Sequence, residues 1–163
     1  MLKYTTAQVV FREIPDEIVL CINISGCPIH CPKCHSKELW QDIGEELTRS
    51  TLLKLIDENK GISCVCFMGG DNDIEYLIDL AWLIKDRFGS TIKVAWYSGG
   101  SKIYNCSYFD YVKIGPYIEE RGGLDNINTN QRLFKSSYSE IQDENFWYWE
   151  DITYKLQNVT PVK

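Results

Sequence analysis

Short apolar segments alternate along this chain with helical patterns, and this order restricts the folds that the chain can adopt. The predicted strands cover residues 17–24, 62–67, 91–97 and 108–114, and the predicted helices cover residues 48–61 and 72–89. Strands that alternate with helices predict right-handed βαβ units and a parallel sheet. With 163 residues and no internal repeat, we expect one compact α/β domain that spans residues 1–163.

Each predicted strand ends in a loop that contains cysteine or glycine, or beside a charged side chain. Ligands of α/β proteins bind at the carboxyl ends of parallel strands, and these ends lie at one edge of the sheet. We therefore expect four features to converge there: the loop of residues 25–38, the turn of residues 69–71, the turn of residues 98–100, and Lys113.

Composition and charge exclude some classes of function. The formal net charge is −6 and no basic stripe is present, which argues against a nucleic-acid partner. The N-terminal residues lack the apolar run of a signal peptide, and no stretch approaches the roughly 18 apolar residues that span a bilayer. A cytoplasmic protein without a membrane partner is predicted.

Three of the seven cysteines lie in one short loop, as Cys27, Cys31 and Cys34, with the spacing C-x3-C-x2-C. No fourth cysteine completes the local set. A cubic 4Fe-4S cluster has four irons to ligate, so three thiolates would leave one iron open. An open position is typical of a metal site that binds a substrate. The loop therefore predicts a cluster whose free iron binds a small molecule.

Other interpretations of these cysteines remain open at this point. A structural zinc site could combine Cys31 and Cys34 with other ligands. Those additional ligands would come from Cys27, His30, His35, Cys64 and Cys66. C-x-x-C-H is also the pattern of covalent haem attachment, and C-x-x-C is the pattern of a thioredoxin-like redox pair. The four remaining cysteines are predicted to pack in the core as small apolar side chains. They are Cys21, Cys64, Cys66 and Cys106.

The other loops offer ligand contacts or ordinary turns. Gly69 and Gly70 would let a ligand approach the backbone, and Asp71 would either pair with an ammonium group or cap the next helix. Ser98 is a weaker candidate of the same kind. Lys113 would reach a carboxylate or extend to solvent. The aromatic segment of residues 145–157 is predicted to pack on the domain as an edge strand or hairpin, with its aromatic side chains in the core.

These residues together resemble the radical S-adenosylmethionine (radical-SAM) superfamily, in which C-x3-C-x2-C follows one strand and a Gly-Gly-acid turn follows the next. Two further stretches, residues 113–120 and 128–134, resemble the branch that activates anaerobic ribonucleotide reductase. The resemblance runs from about Ala7 to Lys135. It implies a partial (βα)6 barrel of the TIM type, stripped of extra domains.

The resemblance also implies a site. Cys27, Cys31 and Cys34 would hold the 4Fe-4S cluster, and S-adenosylmethionine would chelate its open iron. One electron would cleave the sulfonium, and the resulting 5′-deoxyadenosyl radical would abstract hydrogen from a glycine of the reductase. No catalytic residue beyond the cluster ligands is implied. The residues implied to contact S-adenosylmethionine are Lys33, Cys34, His35, Gly69, Gly70, Asp71, Ser98 and Lys113.

The implied partners are the catalytic subunit of the anaerobic reductase and an electron donor of the flavodoxin or ferredoxin type. Two alternatives lie close to this function: a radical-SAM enzyme that acts on a small molecule, such as a carboxy-deazaguanine synthase-like enzyme, and an activase of a different glycyl-radical enzyme. A third, from another class, is an interaction module stabilised by zinc.

Overall fold

A computed structural model of the protein describes residues 1–103, 107–141 and 144–157. For residues 139–141 and 144–146 it describes the backbone alone. Eight strands and two α-helices are described. They are β1 (Lys3–Val10), β2 (Val19–Ile24), β3 (Glu45–Glu46), α1 (Arg49–Glu58), β4 (Cys64–Met68), α2 (Ile74–Phe88), β5 (Lys93–Tyr97), β6 (Tyr111–Ile114), β7 (Arg132–Ile141) and β8 (Glu144–Asp151). The four predicted strands and both predicted helices are confirmed, within a few residues at each end.

The eight strands form one mixed sheet in the order β3-β1-β2-β4-β5-β6-β7-β8. Only the central pairs β2–β4, β4–β5 and β5–β6 are parallel, and every outer pair is antiparallel. The implied partial (βα)6 TIM-like barrel is therefore wrong. The described residues of the β5–β6 connection contain no helix, and β7 turns back antiparallel to β6, so the sheet stays open instead of curling into a barrel.

The two helices cover one face of the central strands, and local sequence signals fix where they begin. The Thr48 side chain accepts a hydrogen bond from the Thr51 N–H at 3.0 Å, and Asp73 accepts one from the Tyr76 N–H at 3.2 Å. Leu77, Leu80, Ala81 and Ile84 of α2 are buried. Among the described residues, no helix is both long and apolar enough to cross a bilayer.

The other face of the sheet has no α-helix among the described residues and is covered by irregular segments that carry Ile14 and Ile152. Cys21, Cys64 and Cys66 are buried in this second core, as predicted. Burial raises the pKa values of the Cys64 and Cys66 thiols, which therefore stay protonated. The fourth cysteine predicted for the core, Cys106, lies outside the described residues.

The C-terminal aromatic segment forms β8, which pairs with β7 in a hairpin and ends the strand order. The predicted edge strand is confirmed. The aromatic side chains of this segment were predicted to lie in the core. That prediction is confirmed for Trp149, which packs against the main core, and is wrong for Trp147, which is 71% exposed. Trp147 contacts the Tyr138 ring across the hairpin instead, with ring centroids 5.2 Å apart.

A buried carboxylate, Glu17, connects the segment before β2 to the residue before β4 and to strands β5 and β6. It accepts hydrogen bonds from Ser63 at 2.6 Å, from Tyr111 at 2.8 Å and from Lys93. Burial alone would raise the pKa of Glu17, but these three donors together lower it. The ionised carboxylate therefore stabilises the folded state.

The substitution Glu17→Gln is expected to lower the free energy of unfolding by about 2 kcal/mol, the scale of a hydrogen bond to a charged group. Because the pKa is lowered in the folded state, this contribution is complete above the usual carboxyl range and is lost as pH falls through the lowered value. Urea unfolding at pH 7 and pH 3.5 measures both effects. The matched control is Asp16→Asn at an exposed neighbour, and an equal loss in that variant would contradict the assignment.

Candidate functional site

The carboxyl ends of β2, β4, β5 and β6 lie next to each other, and the loops that follow them meet at that edge. Asp71 accepts hydrogen bonds from the Ser98 hydroxyl and from the Gly99 N–H, the latter at 3.2 Å. Gly99 in turn lies against the cysteine loop, since a Cβ placed there would be 2.8 Å from Cγ1 of Ile29. The structure thus brings together the loops that were expected to converge, while their roles in binding stay predictions.

The cysteine loop is held in a compact shape by its own backbone. The Cys27 N–H donates to the carbonyl of Leu39 at 2.9 Å, and the Cys34 N–H donates to the carbonyl of Cys31 at 3.0 Å. His30 and Lys33 have φ angles of 50° and 64°, a left-handed conformation that is uncommon for residues other than glycine. Backbone strain of this kind clusters at functional sites.

The three loop thiols have an environment unlike that of the core cysteines. All three are partly exposed, and two of them accept backbone hydrogen bonds. Cys34 Sγ accepts from the Ser36 N–H at 3.4 Å, and Cys31 Sγ accepts from the Tyr117 N–H at 3.3 Å. Such donors stabilise the negative charge of a metal-bound thiolate, and they are among the groups that tune iron–sulfur clusters.

A buried polar atom without a partner lies beside the same loop. The Trp40 ring stacks on His30, with centroids 4.8 Å apart, and its indole Nε1 has no hydrogen-bond partner among the described residues. Within those residues no group of three His, Cys, Asp or Glu side chains converges on one metal ion. A 4Fe-4S cluster places each thiolate on a different iron. Partly exposed thiols with N–H donors and an orphaned indole donor fit such a cluster.

Asp71 does not cap the helix that follows it, because Asp73 occupies that position. Its carboxylate instead faces the loop after β5. Ser98 is 1% exposed, and its hydroxyl both donates to Asp71 and accepts from the Gly100 N–H at 2.9 Å. Asp71 is therefore a carboxylate held at the edge of the sheet by two donors from a neighbouring loop.

Lys113 lies beneath this edge and does not extend to solvent. It is 9% exposed, and its Nζ donates to the carbonyls of Ser98 and Gly115 at 3.2 and 2.9 Å. Burial lowers the pKa of Lys113 to about 8, although Asp71, Cys31 and Cys27 oppose that shift. A buried cation therefore lies close to both the carboxylate and the cysteine loop.

The buried lysine predicts a pH dependence for the cluster-free protein. The pKa of Lys113 is about 8 in the folded state against an ordinary 10.5, so the unfolded chain binds more protons between these values. Stability should therefore rise with pH across that window. Between pH 8 and 10.5, the free energy of unfolding of the wild type should rise by on the order of 3 kcal/mol relative to that of the Lys113→Met variant. This follows from about 1.4 kcal/mol for each unit of pKa difference.

Anaerobic urea unfolding of both proteins between pH 7.5 and 10.5 measures this difference. Subtracting the stability of the variant from that of the wild type cancels the titration of the thiols and tyrosines that do not interact with Lys113. A difference that stays constant with pH would contradict a lowered pKa at Lys113.

One contact at the site was missed by the sequence analysis, namely the bond from the Tyr117 N–H to Cys31. The Tyr117 hydroxyl also lies 3.1 Å from Nε2 of His35, so this residue contacts the cysteine loop at two points. The available signal was the Gly115-Pro116 turn directly after a strand that ends at the same edge.

A cleft of about 570 Å³ lies at the other end of the sheet, away from these loops. It is bounded by the C-terminal turns of both helices and by the residues before β4 and β5, among them Ile56, Gly61, Phe88 and Ile92. None of the predicted ligand contacts lines this cleft.

The cysteine loop at the edge of the sheet and a family match together define the class of protein as iron–sulfur. The chain belongs to the 4Fe-4S single cluster domain family, which matches residues 17–114, more than half of its length. That match includes all three loop cysteines and the four central strands. The prediction of a 4Fe-4S protein is thereby confirmed, and the ligation of the cluster by three cysteines remains a prediction. No curated protein and no solved structure matches the chain significantly.

Proposed function

We propose that this protein is a radical-SAM activase that cleaves S-adenosylmethionine reductively and generates a glycyl radical on anaerobic ribonucleotide reductase. The observation that carries the proposal is the meeting of the cysteine loop with the Asp71 and Ser98 turns and with Lys113. An open iron alone would bind many small molecules. A carboxylate and a cation beside it suit a ligand with both an ammonium and a carboxylate group.

Cys27, Cys31 and Cys34 would hold the cluster through three of its irons. When bound, the cluster supplies the one electron that cleaves the sulfonium of S-adenosylmethionine and the open iron that chelates its methionine end. The backbone N–H groups of Tyr117 and Ser36 donate to the sulfurs of Cys31 and Cys34 and would stabilise the charge on the cluster and its ligands. The chain thus contributes ligands, hydrogen-bond donors and position, while the cofactors carry the chemistry.

The methionine end of the ligand would lie against the turn after β4. Gly69 and Gly70 have φ angles of 105° and 96°, which side chains rarely adopt. A Cβ would lie 3.1 Å from the Ile24 carbonyl oxygen at Gly69 and 3.1 Å from the Leu77 side chain at Gly70, so the turn needs glycine for its own packing. The Trp96 indole fixes this turn by donating to the Gly69 carbonyl at 2.9 Å. The carboxylate of Asp71 would accept from the ligand's ammonium group, and Lys113 would compensate the ligand's carboxylate.

The adenosyl end would lie beside Lys33 and His35, which flank the last cluster ligand. Ser98 would contact the ribose or the methionine, although its hydroxyl already serves Asp71. Beyond the site, the proposed partners are the reductase catalytic subunit and a flavodoxin- or ferredoxin-type electron donor, in the cytoplasm.

The test is anaerobic reconstitution with iron and sulfide, followed by electron paramagnetic resonance (EPR) of the reduced protein with and without S-adenosylmethionine. We expect a reduced-cluster signal that changes shape with the ligand, release of 5′-deoxyadenosine and, with anaerobic ribonucleotide reductase added, a glycyl-radical signal. A cluster signal indifferent to S-adenosylmethionine would refute the radical mechanism.

The alternatives give different results in the same series. Cleavage that modifies a small metabolite without the reductase would favour a small-molecule enzyme. A radical formed only on a different glycyl-radical protein would reassign the partner. One equivalent of zinc with no iron after reconstitution would leave an interaction module.

A further inference from the structure

One peptide group beside the cysteine loop is hydrogen-bonded at both ends. Its N–H belongs to Tyr117 and donates to Cys31 Sγ at 3.3 Å. Its C=O belongs to Pro116 and accepts from Nδ2 of Asn130 at 3.0 Å. The side chain of Asn130 is therefore connected to a proposed cluster ligand through a single rigid peptide plane.

The position of Asn130 against this peptide is fixed by its surroundings. Gly115, with a φ of 105°, lies so close that an added Cβ would be 3.2 Å from the Asn130 carbonyl and 3.4 Å from Nδ2. Only an asparagine turned with Nδ2 toward the Pro116 carbonyl forms the bond, because Oδ1 would repel that oxygen. Gln131 adds a longer bond to the neighbouring carbonyl of Gly115 at 3.4 Å.

Asn130 also carries a stability cost. Its Oδ1 is buried and has no hydrogen-bond partner among the described residues. A buried polar atom without a partner destabilises the folded state. An apolar side chain would avoid that cost but would leave the Pro116 carbonyl without its hydrogen bond from Nδ2. Asparagine at position 130 therefore orients the peptide at the expense of stability.

We propose that Asn130 is a positioning residue that raises the reduction potential of the cluster by holding the Tyr117 N–H against Cys31 Sγ. The inference deepens the proposed function and rests on the ligand role of Cys31, but not on cleavage of S-adenosylmethionine or on the reductase. It applies to any one-electron reduction of a cluster bound at this loop.

The physical basis is the distribution of charge between the two oxidation states. Reduction adds one electron to the cluster and its ligand sulfurs, so an N–H donor aimed at a sulfur stabilises the reduced state more than the oxidised one. A hydrogen bond to the carbonyl of the same peptide polarises the N–H further. Loss of the Asn130 amide weakens both the alignment and the polarisation, and the potential falls.

The experiment is a redox titration of the reconstituted Asn130→Ala variant, with dithionite as reductant, mediators and EPR detection, without S-adenosylmethionine. At a fixed potential near the wild-type midpoint, the ratio of reduced to oxidised cluster should be about fivefold lower in the variant. At 59 mV for each tenfold change in this ratio, the midpoint potential of the variant should lie about 40 mV below that of the wild type. The matched control is Asn128→Ala, an exposed asparagine in the same loop, whose potential should equal that of the wild type.

A second variant covers the case in which Asn130→Ala fails to take up iron. Asn130→Ser is then titrated in the same way, and the same downward shift supports the proposal. An unchanged potential in a variant that retains its iron would overturn it, as would loss of iron in both variants, which would make the contact structural. Because the readout needs neither S-adenosylmethionine nor the reductase, failure of the proposed activity leaves this result unaffected.

Discussion

Replacing any one of Cys27, Cys31 or Cys34 by alanine is expected to abolish cluster binding and, with it, all cleavage of S-adenosylmethionine. Each thiolate would hold a different iron, so the loss of one leaves two irons without protein ligands. The local loop offers no fourth cysteine as a substitute. Iron and sulfide content after anaerobic reconstitution, together with the absorbance and EPR of the cluster, measures the effect.

The core cysteines provide the control for this series. Alanine at Cys21, Cys64 or Cys66 should leave iron content and activity largely intact, because all three side chains lie in the second core. Burial also raises the pKa values of the Cys64 and Cys66 thiols. Cys106→Ala belongs to the same control set. If Cys64→Ala or Cys66→Ala lost the cluster, the ligands would have to be reassigned.

The second large effect is expected at Asp71. The Asp71→Ala variant should bind the cluster normally but lose affinity for S-adenosylmethionine by about tenfold or more, since a charge-assisted hydrogen bond contributes about 1.5–3 kcal/mol. Part of the loss would come from the turn after β5, which Asp71 holds through Ser98 and Gly99. Titrating the EPR change with S-adenosylmethionine gives the affinity.

Asp73 supplies the matched control, two residues along the chain. It caps α2 and pairs with the N-terminal amine, with 2.9 Å between the charged atoms. The Asp73→Ala variant should lose stability and retain its affinity for S-adenosylmethionine. Equal affinities in the two variants would show that Asp71 makes no contact with the ligand.

The central part of the fold could be predicted because its signals are local. Apolar runs predicted the four parallel strands, and the oxygens of Thr48 and Asp73 marked the starts of both helices. β1 was not predicted, since Lys3–Val10 mixes polar and apolar residues and is only partly buried. An antiparallel strand near the edge of a sheet does not need a continuous apolar run.

The barrel was wrong for a reason that the sequence pattern did not reveal. A TIM-like barrel needs a helix after each strand, so that successive strands stay parallel and the sheet curls. After β6 the chain contains only the short 3-10 helix Glu119–Arg121 before β7, and β7 then pairs antiparallel. The resemblance extended the βα pattern into a region where this chain turns back on itself.

The sequence predicted the part of the site that lies at the carboxyl ends of the parallel strands. Cys27, Asp71 and Lys113 are expected at one edge because their strands are neighbours and point the same way. The Gly115-Pro116 turn after β6 indicates that this segment reaches the same edge, but the bond from the Tyr117 N–H to Cys31 could not be predicted, because a backbone N–H carries no signature in the sequence. The path from Asn130 to that N–H depends equally on tertiary packing.

The order of the parallel strands also has a consequence for how the protein is made. The three loop thiols are complete once residue 34 has been synthesised, but the edge around them is not complete until β6 is formed. At ordinary rates of translation that interval is roughly 4 to 16 s. During it the nascent chain presents three thiols that no neighbouring loop shields, so a cluster inserted early would meet oxygen and competing metals. Loading that follows folding avoids this exposure.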